Sequence, residues 1–189
     1  MPNEEGNVTL QQTPMTSSGP FPRTVPPSVF VADVMLGRLA RWLRAAGVDV
    51  SYDSRASDDQ LIQIFLQQRR QIVTRDRGLV RRRIARHAIL IESEILEEQL
   101  QEFFQKARPV LTPDALLPFS RCVECNALLV VAAREDARKR VPPYVFENHS
   151  AFKLCPCCNK IFWAGTHRQR IRQLLLSVSP GTSNPLEVL

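Results

Sequence analysis

The chain has 189 residues, 44% of them hydrophobic, and a formal net charge of +6 at pH 7; this length suffices for one medium-sized domain and a small second one. No stretch approaches the roughly 18 consecutive apolar residues of a membrane span, and the N-terminus lacks the apolar core of a secretory signal, so we expect a cytoplasmic protein with no membrane contact. The basic balance favours a polyanionic partner such as RNA and identifies no protein partner.

The N-terminal segment differs in composition from the rest of the chain. Residues 1–28 are rich in proline, serine and threonine, and they cannot bury enough apolar surface to offset chain entropy, so we predict a disordered tail. Order is expected to begin at Val29–Ala32, an apolar run typical of a buried strand. Asp33 ends the strand, a helix follows over 34–46, and Gly47 is placed to end that helix in a left-handed cap.

Strand and helix patterns then alternate. Ser57 and Gln60 have the spacing of a capping box, which predicts the start of a helix that continues to about residue 68. The other predicted elements are strands over 48–52, 71–74 and 88–91 and helices over 79–86 and 95–107. Parallel strands need long, usually helical connections, so this alternation predicts an α/β fold with a parallel sheet covered on both faces.

A proline-containing linker over 108–118 leads to a region with two C-x-x-C pairs. Cys122 and Cys125 form the first pair, and Cys155 and Cys158 form the second. This spacing lets four thiolates bind one tetrahedral Zn²⁺, and a full thiolate shell leaves no open position for water, so we predict a structural zinc ribbon. Cys157 is interpreted as a bystander.

The ribbon is predicted to span 118–176, with a C-terminal helix and a flexible tail over 177–189. The apolar runs over 127–133 and 141–146 favour short antiparallel strands that depend on the metal for folding. Asn126 and Asn159 each follow a cysteine pair, where a left-handed turn is expected and asparagine tolerates it.

Three acids follow predicted strands or open the next helix. Asp33 follows the first strand, Asp76 follows the third, and Asp58 or Asp59 opens the helix after the second. In an open parallel sheet these positions share the edge where ligands bind, so the acids are candidates to hold Mg²⁺ or Mn²⁺ for phosphodiester cleavage. Aspartate is also a favoured helix N-cap, and that reading remains open for each acid.

Arginines cluster in three places, which suggests contacts with phosphates. The first cluster, Arg38, Arg41 and Arg44, recurs at helical spacing, and the second is a run at 81–83. The third, Arg168, Arg170 and Arg172, follows Trp163 and His167. Cations and an exposed aromatic ring suit an RNA-contacting surface, although solvated helix faces have a similar composition.

The sequence resembles the Mut-7 carboxyl-terminal RNase family in four places. These are the segment from Phe30 to Arg44, the Thr74-Arg75-Asp76 turn, the paired cysteines and the Trp-x-Gly-x-His element at 163–167. The similarity covers about residues 30–175. It implies a PIN-like nuclease domain over 29–112, followed by the zinc ribbon, and metal-dependent RNA cleavage through Asp33, Asp58 and Asp76.

In that interpretation, Arg38, Arg41 or Arg75 stabilises phosphate charge. PIN-like sites commonly use a fourth acid, and none of Glu92, Glu94 and Glu98 stands out for that role. The alternative is a catalytically inactive adaptor that binds RNA or a ribonucleoprotein through its ribbon and arginines.

Overall fold

Four short parallel strands form the central sheet of the first domain. The structure is a computed structural model that describes residues 29–111 and 116–165, together with Gln169, Ile171 and Gln173. The strands are β1 (Val29–Ala32), β2 (Asp49–Tyr52), β3 (Gln71–Thr74) and β4 (Ile89–Leu90). They lie in the order β2-β1-β3-β4, and each neighbouring pair is parallel. The predicted α/β fold is therefore confirmed.

Four helices connect or follow these strands, namely α1 (Gly37–Ala45), α2 (Asp58–Gln68), α3 (Arg77–Arg81) and α4 (Leu96–Ala107). The capping box is present, because Ser57 accepts from the backbone N–H of Gln60 while the Gln60 side chain accepts from that of Ser57. The single helix predicted over 79–86 is interrupted by Arg82, whose backbone is extended at φ −66° and ψ 127°. A 3₁₀ turn, Arg83–Ala85, follows it.

Side chains that alternate along β1 separate two apolar cores. Phe30 packs with α1 and α4 on one face, and its ring centroid lies 5.0 Å from that of Phe103 in an edge-to-face arrangement. Val31 points to the opposite face and packs with Leu61 and Leu79 of α2 and α3. Successive residues of a strand face opposite sides of the sheet, so burial on both sides explains why β1 is apolar throughout.

The cysteine-bearing region contains a second sheet of three antiparallel strands. These are β5 (Val130–Ala132), β6 (Phe152–Leu154) and β7 (Ile161–Trp163), paired in that order. The helices α5 (Arg134–Arg138) and α6 (Pro143–Asn148) connect β5 to β6. The strand predicted over 141–146 was wrong, because Pro143 occupies the first turn of α6, where its fixed φ favours a helix and its missing N–H costs nothing.

The linker and the end of the ribbon pack against the first domain. Leu111 is buried in the core that α1 and α4 share, and Leu116 and Phe119 contact the same core. Gln169, Ile171 and Gln173 are helical, and Ile171 is buried in that core. The tails predicted over 1–28 and 177–189 lie outside the described residues. No helix in the described part of the chain is long and apolar enough to cross a membrane.

Candidate active site and metal centre

Asp33 and Asp76 lie at the same edge of the sheet, where β1 and β3 end. The backbone N–H of Asp33 donates to the carbonyl of Val73 at 2.9 Å, which fixes the end of β1 against β3. The Thr74 hydroxyl donates to Oδ2 of Asp33 at 2.5 Å and accepts from the backbone N–H of Asp76 at 2.9 Å. One buried hydroxyl thus joins two of the three predicted site residues.

The surroundings of the Asp33 carboxylate are unusual for a charged group. Asp33 is only 4% exposed, and Thr74, which donates a hydrogen bond to its carboxylate, is fully buried. No lysine or arginine in the described part of the chain forms an ion pair with it. Buried charges in proteins are generally paired or bound to metal. The chemistry of this position therefore fits a cation.

Asp76 also acts as a helix cap, as the alternative reading of the sequence allowed. Its Oδ1 accepts from the backbone N–H of Gly78 at 2.6 Å at the start of α3. Asp33 differs, because it precedes a 3₁₀ turn without a side-chain hydrogen bond to that turn. The helix-cap role thus accounts for one oxygen of Asp76 and does not account for Asp33.

Asp58 is the first residue of α2, and Ser57 supplies the cap of that helix. One guanidinium nitrogen of Arg82 lies 3.1 Å from Oδ2 of Asp58, and the other lies 2.9 Å from Oδ1 of Asp59. The Arg82 side chain is 45% exposed. Ion pairs this exposed contribute only about 0.2 to 1 kcal/mol. A more strongly bound cation could therefore replace Arg82 at small cost.

The three predicted acids do not form a closed ligand group in this structure. Within the described ranges, the one group of three or more metal-ligating side chains with donor atoms within 4.8 Å of one another consists of cysteines. The structure brings Asp33 and Asp76 together through Thr74 and holds Asp58 against Arg82.

Arginines and acids alternate at the same edge, where β4 also ends. Arg75 donates to Glu94 at 2.8 Å and lowers the pKa of that carboxyl, and Arg77 donates to Glu92 at 3.2 Å. The Nε of Arg75 is buried and has no hydrogen-bond partner among the described residues.

The loop after β4 is held by Glu102 of α4. Its carboxylate accepts from the backbone N–H groups of Glu92 and Ser93 at 2.8 and 2.9 Å. Burial opposes ionisation of Glu102, but these two N–H groups and Lys106 lower its pKa below the usual value. Sequence reasoning missed this residue, because its spacing on α4 gives no sign that it reaches back to the loop.

The four predicted zinc ligands are assembled. The Sγ atoms of Cys122 and Cys158 lie 3.5 Å apart, and those of Cys125 and Cys155 lie 3.4 Å apart. A Zn–S bond of about 2.3 Å in a tetrahedron requires sulfurs roughly 3.8 Å apart, so the arrangement fits a Zn²⁺ ion with four thiolates. Cys157 is exposed and lies outside this group.

Backbone geometry and electrostatics at the cysteine pairs match this fit. Asn126 and Asn159 have the expected positive φ, at 71° and 59°. Burial raises the pKa of Cys122 to about 12. Burial also opposes ionisation of Cys155, but backbone N–H groups of the knuckle and the Cys125 thiol bring its pKa down to about 7. Cys155 is therefore more readily ionised than Cys122, which favours metal binding because a thiol must lose its proton to bind a metal.

Arg44 was expected to contact phosphate, but its side chain is buried. It is 3% exposed, and its guanidinium donates to the carbonyls of Val50 at 2.8 Å, Val123 at 3.1 Å and Glu124 at 2.7 Å. Burial lowers its pKa. The last turn of α1 thus binds the first cysteine knuckle, and Arg44 lies inside the molecule.

Asp49 forms a second connection between the two parts. Its carboxylate contacts Arg70 at 2.5 Å, Asn126 at 2.7 Å and Arg121 at 3.1 Å. Asp49 begins β2, so the knuckle lies beside the edge where the strands begin, opposite the edge of the three aspartates. The zinc site and the acid site are therefore separate.

The remaining predicted RNA contacts have varied positions. Arg38 is exposed, while Arg41 is exposed and donates to Glu124 of the ribbon at 2.9 Å. Trp163 is 39% exposed. Four predicted residues, His167, Arg168, Arg170 and Arg172, lie outside the described part of the chain.

Comparison with known proteins gave one match. No curated protein and no solved structure matched the chain. A family model described as the Mut7-C RNAse domain matches residues 28–175, which include the whole parallel sheet, the acid edge and the four-cysteine centre. The expected family is thereby confirmed, and the chain belongs to the Mut7-C RNAse domain family.

Proposed function

We propose that the protein is a metal-dependent ribonuclease in which Asp33, Asp58 and Asp76 hold Mg²⁺ or Mn²⁺. The observation that carries this proposal is the buried carboxylate of Asp33, which has a neutral hydroxyl donor and no positive partner among the described residues. A buried carboxylate without a counter-charge is costly, and a bound cation would remove that cost. Membership in the ribonuclease family supports the same conclusion.

The residues around Asp33 suit a hydrated ion. Mg²⁺ usually keeps several waters and is bound through one or two carboxylates, so acids too far apart for direct coordination by all three can still share it. Thr74 fixes the orientation of the Asp33 carboxylate and the position of the Asp76 backbone. Asp58 would join the site if its side chain exchanged its ion pair with Arg82 for the ion. When bound, the ion neutralises charge on the scissile phosphate and activates water.

Arg75 is the arginine best placed to contact the phosphate. It follows Thr74 directly in sequence, at the edge where Asp33 and Asp76 lie, and its ion pair with the exposed Glu94 is weak enough to be exchanged for a phosphate. A guanidinium presents several N–H donors to phosphate oxygens in a fixed geometry. Arg38 and Arg41 are exposed on α1 and can bind the backbone of the same RNA, as can the segment from Trp163 to Arg172. Arg44 is left out of this surface because it is buried.

The test compares RNA cleavage by the wild type with that by Asp33→Asn, Asp58→Asn and Asp76→Asn, with Mn²⁺, with Mg²⁺ and without divalent ions. Asparagine has nearly the same shape as aspartate and can still cap a helix, so each variant should fold as the wild type does. Asp59→Asn is the matched control, because Asp59 shares Arg82 with Asp58 but is not a proposed ligand. We expect cleavage to need the ion and to be lost in the three variants only. Cleavage at the wild-type rate in all three would exclude this site.

A second candidate function is RNA binding without cleavage. Asp76 already caps α3 and Asp58 is already paired with Arg82, so two of the three acids have structural partners. In this case the purified wild type binds RNA in a salt-dependent manner but leaves it intact at every Mn²⁺ concentration.

A further inference from the structure

Two large apolar side chains are exposed directly beside Asp33. Val34 and Met35 follow Asp33 in the 3₁₀ turn after β1, and they are 38% and 58% exposed. We call these two residues the apolar turn. Two peptide units separate Met35 from Asp33, so the Cα atoms of the two residues lie no more than about 7.6 Å apart. A nucleotide bound at Asp33 therefore has an apolar surface next to it.

The position of the apolar turn is fixed by Tyr52, the last residue of β2. Tyr52 is level with Ala32 in the pairing of β1 with β2, and its hydroxyl donates to the Val34 carbonyl at 3.1 Å. A Cβ atom at Gly37 would lie only 2.6 Å from the Tyr52 hydroxyl oxygen, so the ring packs closely against the start of α1. The apolar turn is thus held on the β2 side of the acid edge.

Two arginines lie on the same side of the acid edge. Arg38 is in the first turn of α1, and Arg55 is in the loop after β2. β1 and β2 end level with each other, so the segments that follow them lie side by side. Both arginines are exposed, and neither side chain has a hydrogen-bond or ion-pair partner among the described residues. Asp53, the acid of this loop, accepts from the backbone N–H of Arg55 at 2.9 Å.

The β4 side of the acid edge has a different charge pattern. There Arg75 is paired with Glu94 and Arg77 with Glu92, so each positive charge has a carboxylate beside it. Arg75 can exchange Glu94 for the scissile phosphate, but the phosphates beyond it would meet Glu92 and Glu94. The neighbouring phosphates of a bound RNA are therefore attracted to the β2 side, where two guanidinium groups lack a carboxylate partner among the described residues.

We propose that the apolar turn is a nucleobase subsite. One unpaired base beside the scissile phosphate packs on Val34 and Met35, while Arg38 and Arg55 bind the neighbouring phosphates of the RNA backbone. The methionine thioether makes favourable contacts with aromatic rings, and its unbranched side chain adapts to bases of different size. Guanidinium groups match the geometry of phosphate oxygens. Two apolar side chains are too few for a protein interface of about 800 Å² per partner, but they suit one base.

This subsite specifies the class of RNA that the acid edge accepts. The faces of bases in an RNA duplex are stacked on one another, so only an unpaired nucleotide can present a base to Met35. The substrate is accordingly single-stranded RNA, bound with little preference for the identity of the base. The inference rests on the proposed ribonuclease function, which places the scissile phosphate at Asp33.

The experiment measures binding by fluorescence anisotropy without divalent ions, so that no cleavage occurs. The probes are a labelled single-stranded RNA of about 8 nucleotides and an oligomer of the same length and charge built from abasic units. Met35→Ser removes the proposed base contact. Ile95→Ser is the matched control, because Ile95 is 55% exposed on the β4 side of the same edge. Thermal melts of both variants establish that they are folded.

The expected loss of affinity follows from the exposure of Met35. With 58% of its surface left to bury, its replacement by serine should weaken binding of the RNA about 4- to 20-fold. Met35→Ser should bind the abasic oligomer as the wild type does, and Ile95→Ser should match the wild type with both probes. The proposal is overturned if Met35→Ser binds the RNA as tightly as the wild type, if it loses affinity equally for both probes, or if Ile95→Ser loses as much.

The phosphate contacts are tested with a variant that carries both Arg38→Gln and Arg55→Gln. Each lost contact should reduce the slope of log affinity against log salt by about 0.7, so this variant should lose about 1.4. A control with Arg108→Gln and Arg138→Gln removes the same charge from exposed positions elsewhere and should keep the wild-type slope. Equal slopes in the two variants would contradict the role of Arg38 and Arg55.

The binding results separate this inference from the proposed nuclease activity. A loss of affinity in Met35→Ser that depends on the bases, together with absent RNA cleavage by the wild type, would contradict only the nuclease activity. RNA cleavage by the wild type, together with equal affinity of Met35→Ser and the wild type for the RNA, would overturn only the nucleobase subsite.

Discussion

Replacing Arg44 with methionine should destabilise both parts of the protein. Methionine keeps much of the aliphatic volume but removes donors to three carbonyls, two of which belong to the first cysteine knuckle. A hydrogen bond to a charged group contributes about 1.5 to 3 kcal/mol, and relief of the buried charge offsets part of that loss. We therefore expect a net loss of about 2 to 4 kcal/mol, a large share of the 5 to 15 kcal/mol typical of a folded protein.

The assay is thermal and urea unfolding of the zinc-loaded protein, with released zinc measured in parallel. At about 2 to 4 °C per kcal/mol for a chain of this size, Tm should fall by roughly 4 to 16 °C. Zinc release should move to lower temperature with it. Arg38→Met is the matched control, since Arg38 lies on the same helix and is exposed, and its effect should stay within about 0.5 kcal/mol. An Arg44→Met protein as stable as this control would refute the role of Arg44 in joining the two parts.

Three further predictions follow from the site geometry. Cys122→Ser should abolish zinc binding and lower the Tm of the first domain as well, whereas Cys157→Ser should change neither, as measured by metal content and thermal melts. Glu102→Gln should reduce stability at pH 7. The folded-state pKa of Glu102 is lowered, so its contribution is present above its usual pKa of 4.5 and is lost as pH falls through the folded value. In urea titrations, the difference in stability between the two proteins should therefore shrink as pH falls below 4.5. Arg82→Ala should lower the Mn²⁺ concentration for half-maximal RNA cleavage, because Asp58 loses a competing cation; an unchanged or higher value would contradict Asp58 as a ligand.

Much of the first domain could be predicted from local patterns. β1 is a short apolar run buried on both faces, β3 has the apolar pair Ile72 and Val73 at its centre, and Ser57 with Gln60 forms the expected capping box. The cysteine spacing likewise picked out the four cysteines whose sulfurs the structure brings within 4.8 Å of one another, because two C-x-x-C turns leave few other ways to place four sulfurs around one ion. In the capping box and within each cysteine pair, the deciding residues lie three positions apart in the sequence.

Contacts between distant segments could not be predicted in the same way. Arg38, Arg41 and Arg44 share a helical spacing, but only Arg44 is covered by the knuckle, which lies some 80 residues further along the chain. The pairing of Arg82 with Asp58 depends on where the interrupted helix after β3 places its guanidinium. Such contacts are set by tertiary packing, about which periodicity carries no information.

The central claim is that the acid edge holds a divalent ion through Asp33. Titration of Mn²⁺ into the zinc-loaded protein, followed by the electron paramagnetic resonance signal of free Mn²⁺, tests it most directly, because hard carboxylates bind Mn²⁺ and the thiolate site favours zinc. We expect the wild type to bind Mn²⁺ and Asp33→Asn to bind it at least about 10- to 100-fold more weakly. Mutation of residues that only contact a metal ligand already reduces metal affinity by this factor, so loss of a ligand should reduce it at least as much. Equal Mn²⁺ affinity in the two proteins would contradict the claim.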